Sequence, residues 1–234
     1  MSYSNGPKIV TDGLVLCLDA GNSKSYPGTG TVWTDLSGNG NHGTLTNGPT
    51  YSGANNGSIV FDGVNDYING IHNTQLDLTG DMTVECWFRI TSIITNPSGS
   101  WVRIFGKGEG NIYRTFGLWY NLTVPNIFLY QRLGTSTMNA LFYTSIFLNT
   151  WYHMAGRSSS NNHTLYINGV ARATSSIGTT FYSNTDPYTI GFSTQPNNPL
   201  SHIGNVSNCK LYNRGLSEGE ILQNYNATKA RYGL

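Results

Sequence analysis

Short runs of β-branched and aromatic residues recur along this chain between clusters of Gly, Asn, Ser and Thr, and inside the runs apolar and polar positions alternate. A period of two sends successive side chains to opposite faces of an extended backbone, so the pattern predicts half-buried strands. Strands are expected at Leu14 to Asp19, Ser58 to Phe61, Thr83 to Ile90, Trp101 to Lys107, Tyr113 to Trp119, Ile127 to Arg132, Trp151 to Arg157, Thr164 to Ile167, Val170 to Thr174, Tyr188 to Phe192 and Val206 to Tyr212. Helical periodicity is almost absent between them, which is the pattern of an all-β sandwich or barrel. Between Tyr166 and Val170, the dipeptide Asn168-Gly169 can accept two positive φ values and predicts a hairpin closed by a two-residue type I′ turn.

One helix start stands out, in Leu216-Ser217-Glu218-Gly219-Glu220-Ile221-Leu222. The Ser217 hydroxyl can accept from the Glu220 backbone N–H while the Glu220 carboxylate accepts from that of Ser217, which is a capping box. An apolar face of Ile221, Leu222 and Tyr225 follows, so a helix over residues 217–228 is expected to dock on the sandwich. Lys229 and Arg231 suit the negative end of its dipole. Capping and solvation thus account for Glu218 and Glu220, which are not read as a catalytic pair. Thr91 to Ser100 and Ser193 to Ser201 read as surface loops and residues 1–12 as an N-terminal arm. No linker, charge run or repeat divides residues 1–234, which are expected to form one domain.

Composition narrows the function. Hydrophobic residues at 38%, 12% of the chain being aromatic, supply a core for a β domain of 234 residues. Charged residues make up only 11%, and 13 Lys/Arg against 12 Asp/Glu leave a net charge of +1. Binding by phosphate neutralisation needs a basic surface, so no nucleic-acid partner is expected. No run approaches the roughly 20 apolar residues of a membrane span, and the first residues lack a basic region followed by a long apolar one. Neither a span nor a signal peptide is expected. Cys17, Cys86 and Cys209 sit in apolar runs without CxxC spacing and are expected as buried free thiols of a protein matured in a reducing compartment.

Several segments together resemble the laminin-G-like, concanavalin A-like lectin/glucanase domains. They are Leu14 to Asn22 (LVLCLDAGN), Ser25 to Gly28 (SYPG), Trp33 to Asn41 (WTDLSGNGN), Ile59 to Ile68 (IVFDGVNDYI), Met82 to Phe88 (MTVECWF), Leu165 to Gly169 (LYING) and Leu211 to Ile221 (LYNRGLSEGEI). The resemblance implies a jelly-roll sandwich of two antiparallel sheets with a short C-terminal helix. It extends to the version found in virion structural proteins of tailed phages, whose closing segments are similar to Asn224 to Leu234 (NYNATKARYGL). Assembly in a bacterial host cytoplasm, as a virion component, is what that version implies.

The fold carries lectins, glycosidases and purely structural domains, so the residues must decide. Glycoside hydrolysis uses two carboxyl groups about 5 to 9.5 Å apart, and hydrolytic relatives place them on one strand as Glu-x-Asp-x-x-Glu. That pattern is missing from the sequence, where Glu85 is the acidic residue clearly inside an expected strand. Gly-x-Ser-x-Gly, Gly-Lys-Ser/Thr and His-Glu-x-x-His are missing too. His42, His72, His153, His163 and His202 are scattered and are expected to pair with no nucleophile. In Thr83 to Arg89, Val84, Cys86 and Phe88 should face the core while Glu85, Trp87 and Arg89 share the other face. Two readings are open for that trio: a sugar-binding patch with Trp87 stacking on the ring, or a Glu85–Arg89 ion pair over a partly covered Trp87.

Two turn sequences are rich in oxygen. Asp35, Asn39 and Asn41 lie in one and Asp62 and Asp66 in the other, and relatives of this fold hold Ca²⁺ between such loops. The same residues are what ordinary β-turns require, which is the competing reading. Tyr113, Tyr120, Tyr130 and Tyr143 are expected on strand surfaces, some of them facing a partner.

The leading expectation is a non-catalytic virion component, decorating the capsid or belonging to the tail or baseplate, present as a homo-oligomer or in multiple copies. Its partners would be other virion proteins and host-surface glycans. The alternatives are a polysaccharide-degrading glycoside hydrolase that gains a second acid by folding and a bacterial cell-surface adhesion domain.

Overall fold

A computed structural model describes residues 7–92, 101–108, 114–121, 127–133, 138–176, 181–193 and 200–234. In chain order the strands are β1 (Leu14–Asp19), β2 (Val32–Trp33), β3 (Gly43–Thr46), β4 (Thr50–Ser52), β5 (Ser58–Asp62), β6 (Tyr67–Asn69), β7 (Met82–Ile90), β8 (Trp101–Lys107), β9 (Phe116–Asn121), β10 (Ile127–Leu133), β11 (Met138–Thr144), β12 (Trp151–Ser159), β13 (Asn162–Ile167), β14 (Val170–Ser176), β15 (Tyr188–Ile190), β16 (Phe192–Ser193), β17 (Leu200–Ser201) and β18 (Ile203–Tyr212). One eight-stranded sheet runs β14-β13-β12-β7-β18-β5-β4 with β1 also paired to β18, and the second runs β11-β10-β9-β8-β15-β6-β3-β2. Every pairing is antiparallel. The two sheets form a jelly-roll sandwich, and one α-helix, α1 (Glu218–Thr228), follows the last strand.

The period-two reading explains the core. Val84, Cys86 and Phe88 of β7 point inward, where they meet Leu16 and Leu18 of β1, Cys209 and Leu211 of β18, and Leu118, Phe128 and Tyr130 of the opposing sheet. Stacked sheets interdigitate side chains across roughly 10 Å, and the aromatic content fills that gap with edge-on ring pairs such as Phe88–Phe128 and Phe105–Tyr188. All three cysteines are buried, and the thiols of Cys86 and Cys209 touch across the β7–β18 pair at 3.4 Å. Tyr120 and Tyr130 are fully buried, not on the strand surface as expected, and Tyr143 is half-buried. Tyr113 lies outside the described residues.

Asn168 and Gly169 take φ of 54° and 76° and join Ile167 directly to Val170, as the turn reading requires. The expected strand Tyr188 to Phe192 is broken at Gly191, whose φ of 83° sends Phe192 into the separate β16. The sequence reading misses β2, β3, β4, β6, β11 and β17, most of them two to four residues long, and starts β18 three residues late. Most of the expected loop segments Thr91 to Ser100 and Ser193 to Ser201 lie outside the described residues, with Leu200 and Ser201 forming β17.

Candidate functional site

The outer face of the first sheet carries the residues singled out in β7. Register places Glu85 opposite Lys210 and Ala155, and Trp87 opposite His153 and Asn208. This face is closed by the segment after β18. The Ser217 capping box starts α1, and Arg214 locks it from behind with 3.0 and 2.5 Å bonds to Glu220, which pull the Glu220 carboxyl down to about 2. The buried face of α1 is Ile221, Asn224 and Thr228, with Tyr225 half-buried, at the i, i+3, i+7 spacing of one helix stripe. Leu222, expected on that face, is 43% exposed.

Glu85 and Trp87 therefore have no exposed surface, and the expected sugar-binding trio does not form. Trp87 is stacked between Tyr232 at 4.1 Å and Tyr225 at 5.6 Å, and its indole N–H donates to the Thr228 hydroxyl. The competing Glu85–Arg89 ion pair does not form either: the Arg89 guanidinium donates to Asn205 Oδ1 and lies over the Trp151 ring. Glu85 instead receives the Asn224 side-chain amide on both oxygens at 3.1 and 3.0 Å, with His153 at 3.7 Å and Lys210 at 3.8 Å. Burial pushes the Glu85 carboxyl up, but His153, Lys210 and Asn224 outweigh it and hold the group below the usual carboxylate range. Asn224 Oδ1 also accepts from Val10 N–H at 2.8 Å, so the N-terminal arm and α1 close over the same carboxylate. Glu85 is a buried counterion in a seal, and its neighbours are two bases and an amide, not a second carboxyl.

The oxygen-rich turns are held by hydrogen bonds of their own. Asp35 Oδ1 accepts from the backbone N–H of Cys17 and Ser37, and its Oδ2 from the Ser37 hydroxyl and the Asn41 N–H. Four chain donors satisfy both oxygens, so this carboxylate fits a turn-building role. Asn39 and Asn41 aim their amide N–H groups at the Val15 carbonyl, and Asp62 and Asp66 bond within their own turn. Among the described residues no group of three or more His, Cys, Asp or Glu side chains is brought together, so Asp35, Asp62 and Asp66 are not gathered at one point.

One histidine departs from expectation. His163 Nδ1 lies 2.6 Å from the Ser158 hydroxyl, which also bonds Tyr130 OH at 2.6 Å. Burial and the nearby Arg132 depress His163 to about 3, so its ring is neutral at physiological pH. The adjoining cavity, between Asp81, Ser159, Asn161, Asn162 and Phe181, holds about 50 Å³. It takes water but not a sugar or an ester. The sequence carried no signal for this pair, because β12 and β13 bring it together only through their tight turn.

Another hollow among the described residues is more open. It has a volume of about 310 Å³ beside the start of β1 and is lined by Thr11, Gly13, Leu14, Val15, Asn39, Gln75, Leu78 and Asn213. Its rim is made of carboxamides and one hydroxyl, its floor is apolar, and of these residues sequence reasoning had marked Asn39 alone.

Similar folds occur in the binding domain of Paraclostridial mosquitocidal protein 1 (TM-score 0.69, 18% identity, covering 92% of this chain and 52% of that one). They occur also in Trypanosoma rangeli sialidase in complex with difluorosialic acid (TM-score 0.71, 20% identity, covering 97% and 35%). The chain thus spans about half of the first protein and about a third of the second, and identity at this level shows the fold alone. No curated protein sequence matches it. Residues 61–222 match the family model described as the concanavalin A-like lectin/glucanases superfamily, and with two antiparallel sheets stacked in that manner the chain belongs to this superfamily.

Proposed function

We propose that this domain is a non-catalytic attachment module, a structural component of a phage particle that holds to neighbouring subunits and recognises carbohydrate on a host surface. The observation that carries the non-catalytic part is the sealing of Glu85. The strand carboxylate best placed by sequence for glycoside chemistry is buried beneath α1 and bonded to Asn224, away from any sugar. Oxocarbenium chemistry needs two carboxyl groups facing one bond, and Glu85 faces bases instead. The near-neutral composition supports contact through hydroxyls and amides rather than through charge. The virion assignment is supported by the similarity of Asn224 to Leu234 to the closing segments of tailed-phage proteins.

Mass spectrometry of purified particles tests the location, and its expected result is this chain in fixed stoichiometry with the capsid or tail proteins. Reducing-sugar release from host envelope polysaccharide tests the chemistry. No release is expected from the unaltered protein, and release abolished by Glu85→Gln would overturn the non-catalytic reading.

A further inference from the structure

We infer that the hollow beside the start of β1 is a binding subsite for one neutral sugar unit, an inference that rests on the reading of the domain as an attachment module. Its walls are fixed before any ligand arrives. Strand β1 has a register irregularity between Leu14 and Leu16, the kind of break that re-aims side chains next to a site. The Val15 carbonyl accepts from Asn41 Nδ2 at 2.8 Å and from Asn39 Nδ2 at 3.4 Å, which ties the Asp35 turn to the strand and sets Asn39 on the rim. Gln75 sits in a short 3-10 turn (Thr74–Leu76) capped by Asn73, and the Asn73 amide donates to Asn41 Oδ1 at 2.8 Å, joining the second wall to the first. Asn213 closes the third side, its N–H donating to the Gly13 carbonyl at 2.9 Å.

The chemistry of the lining selects the ligand. Among the described residues no charged side chain lines the hollow, and Asp12, between two lining residues, is drawn away to Arg214 at 2.8 Å. An anionic sugar would find no counter-charge there. A carboxamide offers a donor and an acceptor side by side, which matches adjacent hydroxyls of a sugar ring. Gln75 and Asn213 are exposed, Thr11 adds a hydroxyl, and Leu14, Val15 and Leu78 give an apolar floor for the C–H face. A volume of about 310 Å³ is at the small end of ligand sites, which suits one ring unit. With no aromatic platform in the lining, single-site affinity is weak, and several copies acting together supply the hold.

The test is an NMR titration of the full ¹⁵N-labelled chain with the methyl α-glycosides of glucose, galactose and mannose, and with N-acetylneuraminic acid. The expected result is amide shifts at Gly13, Asn39, Gln75 and Asn213 with at least one neutral glycoside and none with the acid. The double variant Gln75→Ala/Asn213→Ala, altering two exposed side chains, should raise Kd at least about tenfold while leaving the spectrum outside the hollow unchanged. Shifts that map elsewhere, or a Kd the double variant does not move, would overturn the subsite while leaving glycan recognition standing. No shift with any neutral glycoside up to about 100 mM, the range of the weakest specific contacts, would also overturn it. Failure of the attachment reading would show separately, as absence of the chain from purified particles.

Discussion

Asn224→Ala is the substitution that most directly probes the seal over the first sheet. The Asn224 amide donates to both Glu85 oxygens and to Tyr212 OH at 2.9 Å, and its carbonyl accepts from Val10 N–H. Truncation leaves a fully buried carboxylate with His153 and Lys210 at 3.7 and 3.8 Å and a buried backbone N–H without its acceptor. A bond to a buried charge contributes about 2 kcal/mol, a neutral bond about 1 kcal/mol, and stranding the charge adds to both, for a total of about 4 kcal/mol. At about 2 to 4 °C per kcal/mol for a chain of this size, Tm should fall by roughly 10 °C. The assay is thermal and urea unfolding of four proteins: the unaltered chain, Asn224→Ala, Glu85→Gln and the double variant. Because the cost arises from the ionised carboxylate, Glu85→Gln should be at least about 1 kcal/mol less costly in the Asn224→Ala background than in the unaltered chain. Strict additivity, or a Tm loss below about 3 °C, would refute the account of Glu85 as a counterion held by α1.

Trp87→Ala should cost about 3 to 5 kcal/mol in urea unfolding, since it empties the stack between Tyr225 and Tyr232 and frees the Thr228 hydroxyl; a cost near 1 kcal/mol would show that the helix does not depend on this ring. His163 and His202 are depressed to about 3 and about 4, chiefly by burial, so below pH 6.5 the unfolded chain binds protons that the folded chain refuses. Stability should therefore fall as pH drops from about 6.5 towards 4, by about 1.4 kcal/mol per pH unit for each histidine, and His163→Gln/His202→Gln should flatten that slope in urea midpoints at pH 7, 6 and 5. Asp35→Asn should cost about 2 to 3 kcal/mol, because an amide cannot accept all four of the bonds the carboxylate takes. Tm should be the same with Ca²⁺ or with a chelator, and a chelator-dependent drop would restore the cation reading of that turn.

The strong alternations were legible in the sequence. Thr83 to Ile90 fixed both faces of β7 from its own pattern, Asn168-Gly169 fixed its hairpin, and Ser217 with Glu220 fixed the start of α1, since each depends on neighbours within a few residues. What covers a face is a different matter. The alternation says that Glu85 and Trp87 leave the core, and nothing local says that Asn224, Thr228 and Tyr232, some 140 residues later, return to bury them. The role of Asn224 shows only once its partners Glu85, Tyr212 and Val10 are known, and Leu222 reads as buried for the same lack. Strands of two to four residues such as β2 and β6 are too short to show a period, and their pairing comes from the sheet around them. The hollow gathers residues from four separate stretches, so the sequence placed Leu14 and Val15 on a strand and Asn39 in a turn without showing that they meet Gln75 and Asn213.

The amide of Gln223 bonds the carbonyl of Lys8 at 2.7 Å, and Asn224 bonds Val10, so the N-terminal arm is strapped along α1. Release of that strap would loosen α1 on its bed and let water reach Glu85 and Trp87 while the hydrogen-bonded ladders below stayed shut.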